Sequence, residues 1–361
     1  MRRNSRRVLT VSAVASLIAA AGLGTGNLAG SAASTRAEHA VSHSKVYKVY
    51  FIFTGYAYPY FAPMAQAVAL AAKHYPDLNI KIINANNSGP TESSDVATAV
   101  AAGAQGIILN TVEESVTAAA QRAAAAGVPI VTIDRDISAP KARIAFIGDN
   151  DFVLGETMTK GVLATLAARK APKPWHVVLL EGTLGSSTAI GRLDGALAVL
   201  KPYVKKGSVK IVLNTSANFA TNTAQSVMSA ELAKTTNIQA VICGNDAMSL
   251  GVETALKDHG LPPGKVLVTG ADAQPQSLTA IRSGWQLNTV THSPYLEAFW
   301  AVEAMNNYLQ YKIKTPAKFR SGNILVPMTL VTKANISKVG GWGTPVVVPP
   351  LPYGKSQPYH S

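Results

Sequence analysis

The chain has 361 residues, 47% of them hydrophobic, which is enough for one large globular unit or two domains of ordinary size. Its formal net charge of +13 does not predict nucleic-acid binding, because four arginines fall in the first seven residues and the remaining basic residues are dispersed. Cys243 is the only cysteine, which excludes a disulfide framework.

Residues 1–33 have the organisation of an export signal. A basic head precedes an apolar stretch at residues 8–23, and small residues follow up to the expected cleavage point. A membrane anchor is the alternative, but Gly22, Gly24 and Gly26 interrupt the stretch before the ~20 residues that a spanning helix needs. The sequence therefore predicts export to the periplasm or the outer face of the cell envelope, by the general secretory or the twin-arginine route, with no lipid anchor evident.

A polar leader at residues 34–45 is followed by short β-branched runs that alternate with longer alanine-rich stretches. The runs predict strands and the stretches predict helices, so the pattern indicates parallel sheets with helices on both faces. The predicted strands are KVYFIF, NIKIIN, GIILN, PIVTI, RIAFIG, HVVLLEG, VKIVLN, QAVICG, KVLVTG and QLNTVTH. The predicted helices include residues 62–74, 93–102, 113–126, 151–168, 221–233 and 247–259.

The number of predicted strands favours two domains. About ten strands would make one sheet unusually wide, so two sheets are the better interpretation. The first half has the rhythm βαβαβαβ up to Ile133, and the second half repeats it from His176. The predicted fold class is therefore α/β, with two Rossmann-like domains built on parallel sheets. Residues 341–361 are rich in proline and glycine and are predicted to be extended or disordered.

Aromatic and polar residues collect directly after the predicted strands. Ligands bind beyond the carboxyl ends of the strands in an open parallel sheet, so these positions form the candidate site. They are Tyr58, Tyr60, Phe61, Asn110, Asp134, Arg135, Phe219, Asn245, Asp272 and His292. Each alone has an ordinary explanation as a turn former, a helix cap or a core residue, and Asp246 in particular resembles an N-cap. Their convergence predicts a binding site.

The chemistry of these residues fits a carbohydrate. Aromatic faces pack against the apolar C–H patches of a sugar ring, while carboxylates, amides and a guanidinium pair with neighbouring hydroxyls. Asp134 and Arg135 supply an acceptor and a rigid donor fork side by side. The aromatic segment TGYAYPYFAPM, which follows the first strand, is therefore predicted to form one wall of a sugar pocket.

The chain resembles the periplasmic sugar-binding proteins of ABC importers, in the ribose-binding branch of the type I solute-binding fold. The resemblance covers residues 46–335 and rests on the ordered motifs YPYF, GIILN, VPIVTIDRD, GDNDFVLGE, GRLDGAL, GNDAMSLG, VTGAD and THSP. It implies a three-crossover hinge, closure of two lobes on a small carbohydrate or polyol, and delivery to a membrane ABC permease. It also implies a monomer without a cofactor, a metal or bound nucleic acid.

The resemblance assigns roles to the candidate residues. It implies that Tyr60 and Phe61 stack on one face of the sugar and Phe219 on the other. It implies hydrogen bonds from the polar residues Asn110, Asp134, Arg135, Asn245 and Asp272.

Three positions depart from the family pattern. Tyr58 stands where an asparagine is common, His292 stands where ribose binders have a glutamine, and Ile190 replaces an arginine of the second domain, with Arg192 at a position that does not contact the ligand. The departures argue against ribose and favour a less hydroxylated or differently substituted ligand.

The resemblance also implies lobe boundaries. The N-terminal lobe would comprise residues 46–148 and 293–322, and the C-terminal lobe residues 149–292 and 323–340. The hinges are expected at the junctions of these segments, near Gly148 and Asp149, near His292 and Ser293, and near Gly322 and Asn323.

Two other functional classes are alternatives to import. An enzyme is disfavoured, because Cys243 lies inside the apolar run QAVICG and the sequence has no nucleophile elbow or metal-ligand spacing. A sensory protein that presents a sugar, cyclitol or other small signal to a chemoreceptor or sensor kinase would use the same closed form. The sequence does not distinguish this alternative from import.

Overall fold

The structure, a computed structural model, describes residues 45–342 and 347–360. The predicted export signal at residues 1–33 and the predicted leader up to residue 44 lie outside the described residues. Among the helices that are described, none is both long enough and apolar enough to cross a membrane.

Two six-stranded sheets organise the described chain. The first has the spatial order β11 (Asn323–Leu325), β5 (Ala145–Gly148), β4 (Ile130–Ile133), β3 (Gly106–Asn110), β1 (Tyr47–Phe53) and β2 (Leu78–Asn84). The second has the order β12 (Leu330–Thr332), β10 (Asn288–Val290), β9 (Leu267–Thr269), β8 (Ala240–Cys243), β6 (Trp175–Glu181) and β7 (Val209–Ser216). Their strands pair in parallel except β10 with β12, which confirms the predicted α/β fold of two parallel sheets.

Helices connect these strands. They are α1 (Phe61–His74), α2 (Gly89–Ala101), α3 (Thr117–Ala125), α4 (Asp151–Ala168), α5 (Ser187–Lys205), α6 (Thr221–Leu232), α7 (Asp246–Asp258), α8 (Pro275–Ser283) and α9 (Pro294–Tyr311). The central strands β3 and β8 are buried along their whole length, as expected for strands that are covered by helices on both faces.

The chain passes between the sheets three times. It does so after β5 through α4, after β10 through α9, and between Leu325 and Leu330. The third passage lies beyond the hinge predicted near Gly322 and Asn323, because Asn323–Leu325 pairs with β5 in the first sheet. This three-residue strand was too short to show in the sequence pattern.

Glycines bring α4 and α5 into close contact. A Cβ at Gly155 would lie 2.0 Å from the carbonyl oxygen of Arg192, and a Cβ at Gly195 would lie 2.0 Å from the carbonyl oxygen of Phe152. Only residues without a side chain allow two backbones to approach this closely. The contact fixes the rotation of α5, which leaves the Arg192 side chain buried against the second sheet.

The described part of the C-terminal segment packs on α9. Trp300 Nε1 donates to the carbonyl oxygen of Pro349 at 2.9 Å, and the backbone N–H of Leu351 donates to Glu303 at 2.6 Å. Two short strands, β13 (Val347–Val348) and β14 (Tyr359–His360), pair antiparallel. These contacts contradict the disordered alternative for the described residues. The sequence did not predict them, because the C-terminal segment takes part through backbone groups, which any residue supplies.

Candidate ligand-binding site

A cleft of about 280 Å³ lies where the carboxyl ends of strands from both sheets meet. It is lined by Tyr58, Tyr60, Phe61, Asp134, Arg135, Thr188, Arg192, Phe219, Asn245, Asp272 and His292. All the predicted site residues except Asn110 are therefore brought together. Thr188 and Arg192 complete the lining, and sequence reasoning did not place them there.

Three aromatic rings surround the guanidinium of Arg135. Its Cζ lies 5.1 Å from the ring centroid of Phe61, 5.4 Å from that of Phe219 and 5.7 Å from that of Tyr58. A guanidinium within about 6 Å of a ring face is attracted by the negative face of the ring. Phe219 follows a strand of the second sheet and the other two rings follow a strand of the first, so rings from both sides contact Arg135; stacking of these rings on a sugar stays a prediction.

Asn110 orients Asp134 and does not line the cleft. Its Nδ2 donates to Asp134 Oδ2 at 2.9 Å and to the carbonyl oxygen of Ile133 at 3.1 Å, and its Oδ1 accepts from the Thr54 N–H at 3.3 Å. The amide is thus occupied by protein groups. Asn110 therefore supports Asp134 from beneath the cleft and does not make the ligand hydrogen bond that was expected of it. The backbone of Asp134 has a φ of 59°.

Arg192 contacts the cleft, contrary to the expectation from the family pattern. It is 2% exposed, whereas Ile190, at the position where the arginine was expected, is 47% exposed. Arg192 Nε donates to Asp151 at 2.9 Å and Nη1 donates to Asp272 at 3.0 Å. Nη1 also donates to the carbonyl oxygen of Gly244 at 2.8 Å. Arg192 therefore supplies the second lobe with a guanidinium, two residues after the position where the family pattern has an arginine.

Four carboxylates surround the imidazole of His292. Nε2 lies 2.8 Å from Glu297, 3.5 Å from Asp134 and 3.7 Å from Asp149, and Nδ1 lies 3.2 Å from Asp272. Burial lowers the pKa of His292, but the charges of Asp149 and Glu297 outweigh burial and raise this pKa well above its usual value. The surrounding carboxylates therefore favour the protonated form of the imidazole, whose Nδ1 also lies 3.1 Å from Arg192 Nη2.

Tyr60 is held against this imidazole. The two rings stack with centroids 4.3 Å apart, and the Tyr60 hydroxyl donates to Glu297 at 3.0 Å. One face of the Tyr60 ring is therefore covered by His292, and stacking on a sugar remains a prediction for its other surfaces. Trp342, from the C-terminal segment, packs edge-on against Tyr60 at 5.4 Å and donates to the carbonyl oxygen of Asp272 at 2.7 Å.

Glu297 is a site residue that sequence reasoning missed. It lies in the first turn of α9, is fully buried, and holds both Tyr60 and His292. Burial raises its pKa to about 7, opposed by the positive charge of His292. A carboxylate in a helix as apolar as PYLEAFWAVEAM was the available signal, since a buried glutamate requires a polar partner.

Asn245 is both a helix cap and a cleft residue. Its Oδ1 accepts from the N–H of Met248 at 3.0 Å, so it caps α7, and the predicted cap at Asp246 is wrong. Asp246 is the first residue of the helix, and its carboxylate accepts from Gln286, Thr289 and the N–H of Gln274. The cap holds the Asn245 side chain beyond the carboxyl end of β8, where it lines the cleft.

The two lobes touch directly across the cleft. The N–H of Glu114 donates to the carbonyl oxygen of Gly185 at 2.9 Å, and the N–H of Asp136 donates to Ser187 Oγ at 2.8 Å. The hydroxyl of Tyr58 lies 3.3 Å from that of Thr183. These hydrogen bonds join residues of the first sheet side to the loop and helix that follow β6, so the structure shows a closed cleft.

A family profile described as the periplasmic binding protein domain matches residues 49–313. This match covers β2 to β10, most of β1 and all the residues that line the cleft. The chain belongs to this family. The resemblance to type I periplasmic sugar-binding proteins of ABC importers is thereby confirmed, while the ligand of this periplasmic binding protein is a separate question.

Curated relatives of this periplasmic binding protein are named for sugars. The D-allose-binding periplasmic protein of Escherichia coli is 29% identical over 42% of this chain and 46% of its own length. The galactofuranose-binding protein of that species is 33% identical over 38% and 43%, so this chain spans under half the length of these two relatives. The ribose import binding protein of Bacillus subtilis is 29% identical over 70% of this chain and 79% of its own length.

Solved structures share the fold. A galactofuranose-binding protein superposes with a TM-score of 0.74 at 22% identity, covering 81% of this chain and 96% of its own. A solute-binding protein from Actinobacillus succinogenes with bound D-allose has a TM-score of 0.69 at 26% identity, covering 81% of this chain and all of its own. At 22% identity, the first comparison supports only the shared fold.

Cys243→Ser is expected to leave ligand affinity unchanged. Cys243 is buried at the end of β8, outside the cleft lining, and burial raises the pKa of its thiol. A serine hydroxyl there would lack a guaranteed partner, so stability should fall by about 1 to 3 kcal/mol. Calorimetry and thermal melts measure the two effects, and loss of binding by a folded variant would contradict the structural role.

Glu92→Gln is expected to stabilise the protein increasingly as pH rises. Burial raises the pKa of Glu92 to about 8, and its carboxylate accepts from the N–H of Val112 at 2.7 Å, beneath Arg135. Folding therefore favours the protonated form of Glu92. The wild-type protein loses stability as pH rises from the unfolded-state pKa of Glu92, near 4.5, to its folded-state pKa, about 8. The variant should gain about 4 kcal/mol over wild type at pH 8 and little at pH 4.5.

Urea unfolding at several pH values measures the Glu92 effect. The exposed Glu114→Gln variant is the control for loss of a surface carboxylate. A Glu92→Gln stability difference that does not change with pH would show that Glu92 is not protonated on folding.

Proposed function

We propose that this protein is an extracytoplasmic solute-binding protein that captures a small carbohydrate or polyol in the cleft and delivers it to a membrane ABC permease. One observation carries the proposal: the closed cleft combines aromatic rings from both sheets with buried carboxylates and a guanidinium. Relatives named for ribose, allose and galactofuranose support a sugar as the ligand class. The ligand is bound without being chemically changed.

Recognition depends on acceptors from opposite lobes. Asp134 and Asp272 are each 4% exposed and reach the cleft from the first and second sheets. Hydroxyls of a bound sugar would donate to both carboxylates. A ligand without those hydroxyls would leave buried acceptors unpaired, so the cleft selects polyhydroxylated molecules. Arg192 contacts protein groups through Nε, Nη1 and Nη2, whereas Arg135 donates Nη1 to the carbonyl oxygen of Val112, so Arg135 has more donors left to turn towards the ligand.

Closure provides the signal to the permease. In this proposal the lobes are residues 46–148 and 293–322 against residues 149–292 and 323–340, with the third boundary moved to follow Leu325. A ligand that contacts both lobes stabilises the closed form by its differential affinity for that form. Export through the signal at residues 1–33 would place the protein outside the cytoplasm, where it acts as a monomer without a cofactor.

A thermal-shift screen tests this function. The purified protein is melted with pentoses, hexoses, polyols, cyclitols and nucleosides, and a ligand at 100 times its Kd should add about 2.7 kcal/mol of stability. We expect a shift with one carbohydrate or polyol, which is recovered unchanged. The proposal fails if no member of the panel raises the melting temperature, or if the hit is consumed.

A further inference from the structure

Three buried side chains of the cleft wall direct ligand atoms at one point. These atoms, from Asp134, His292 and Glu297, lie within 4.8 Å of one another. His292 Nε2 is 2.8 Å from Glu297 Oε1 and 3.5 Å from Asp134 Oδ1. An imidazole nitrogen and carboxylate oxygens are donors that bind Zn²⁺.

Asp149 adds an unexplained carboxylate to this group. Its side chain is 1% exposed, and neither of its oxygens has a hydrogen-bond partner. Its Oδ2 lies 3.7 Å from His292 Nε2, on the same side of the imidazole as Asp134 and Glu297. A buried carboxylate without a hydrogen bond is strongly unfavourable, so the position calls for a positive ligand.

The spacing of these atoms fits a tetrahedral ion. Two ligand atoms that are each about 2.0 to 2.1 Å from Zn²⁺ lie about 3.3 Å apart in a tetrahedral site. The three distances from His292 Nε2 to the carboxylate oxygens, 2.8, 3.5 and 3.7 Å, bracket that value. Asp134, His292 and Glu297 therefore supply three candidate ligand atoms, and Asp149 lies beside them with its Oδ2 3.7 Å from His292 Nε2.

Three of the four side chains are also held by partners outside the proposed site. His292 Nδ1 lies 3.2 Å from Asp272 Oδ1, on the ring atom that a metal at Nε2 leaves free. Glu297 Oε2 accepts from the Tyr60 hydroxyl, and Asp134 Oδ2 accepts from Asn110. Hydrogen bonds from outer partners, above all a carboxylate on the second imidazole nitrogen, are typical of protein metal sites.

We propose that Asp134, His292 and Glu297, with the buried carboxylate of Asp149 beside them, bind a divalent first-row metal ion, and that Zn²⁺ occupies this site. The site shares Asp134 and His292 with the cleft in which the sugar is proposed to bind, so Zn²⁺ and sugar should compete for it.

Zinc titration without sugar tests the site. The purified protein is stripped with EDTA, dialysed, and titrated with ZnCl₂ by calorimetry. We expect one saturable site in the wild type. Asp149→Asn and His292→Gln are each expected to weaken Zn²⁺ binding roughly tenfold or more. Glu303→Gln, a buried carboxylate on the same helix that contacts Tyr75 and Leu351, is the matched control and should bind as wild type.

Stability without metal keeps the test decisive. Asp149→Asn removes a buried carboxylate that accepts no hydrogen bond, so this variant should melt no lower than wild type in EDTA, and Zn²⁺ should raise the melting temperatures of wild type and of Glu303→Gln more than that of Asp149→Asn. The proposal is overturned if the wild type takes up no Zn²⁺. It is equally overturned if Asp149→Asn binds Zn²⁺ as the wild type does, which would place the ion on surface histidines such as His259.

Discussion

Asp134→Ala is expected to abolish carbohydrate binding while the protein stays folded. Asp134 presents a carboxylate to the cleft, and Asn110 fixes its orientation from below. Hydrogen bonds to a charged group contribute about 1.5 to 3 kcal/mol each, so loss of two hydroxyl contacts should weaken affinity by a factor of about 100 or more. Calorimetry with the sugar identified in the screen measures this loss.

The matched control for this variant is Asp194→Ala, which removes an exposed carboxylate of α5. It should leave affinity unchanged, and circular dichroism should show both variants folded. Retained affinity in Asp134→Ala would remove Asp134 from the ligand site and with it the main acceptor of the proposed sugar pocket.

Arg192→Leu is expected to destabilise the protein by about 3 to 5 kcal/mol, because removal of one partner leaves buried charges uncompensated. The guanidinium binds Asp151 and Asp272 and lies beside His292. Burial already raises the pKa of Asp151 to about 6, and Arg192 opposes this rise. Both carboxylates would therefore be left without their cation.

Urea unfolding at pH 7 measures the Arg192 effect, with Ile190→Ala as the control. Ile190 lies two residues earlier on the same helix and is exposed, so its variant should change stability by no more than about 0.5 kcal/mol. Equal stabilities of the two variants would contradict the buried ion network and would restore the reading in which Arg192 lies outside the site.

The strand-end rule predicted much of the fold and site from sequence. Each β-branched run became a strand of one of the two sheets, and the side chains that follow β4 and β9, such as Asp134 and Asp272, meet in the cleft. This worked because strands of a parallel sheet end at the same edge, so the order of motifs along the chain already determines which residues converge.

Residues on helices could not be placed in the same way. Whether Ile190 or Arg192 faces the cleft depends on the rotation of α5, which the close backbone contact at Gly155 and Gly195 sets. Glu297 was missed because its partners, Tyr60 and His292, lie far away or in another element of the chain. Such pairings depend on tertiary packing, which no local pattern encodes.

The same limit applies to the proposed metal site. Its four groups come from the ends of β4, β5 and β10 and from α9, so no ligand spacing appears in the sequence. Asn110 shows the opposite error, since a polar residue at a strand end can serve a neighbouring residue rather than the ligand.

Isothermal titration of the screened carbohydrate into the wild-type protein tests the central claim most directly. The account predicts saturable binding of one molecule per chain, with the sugar recovered intact and the binding lost in Asp134→Ala. Absence of saturable binding to any carbohydrate or polyol, or binding that Asp134→Ala leaves intact, would contradict a sugar site in this cleft.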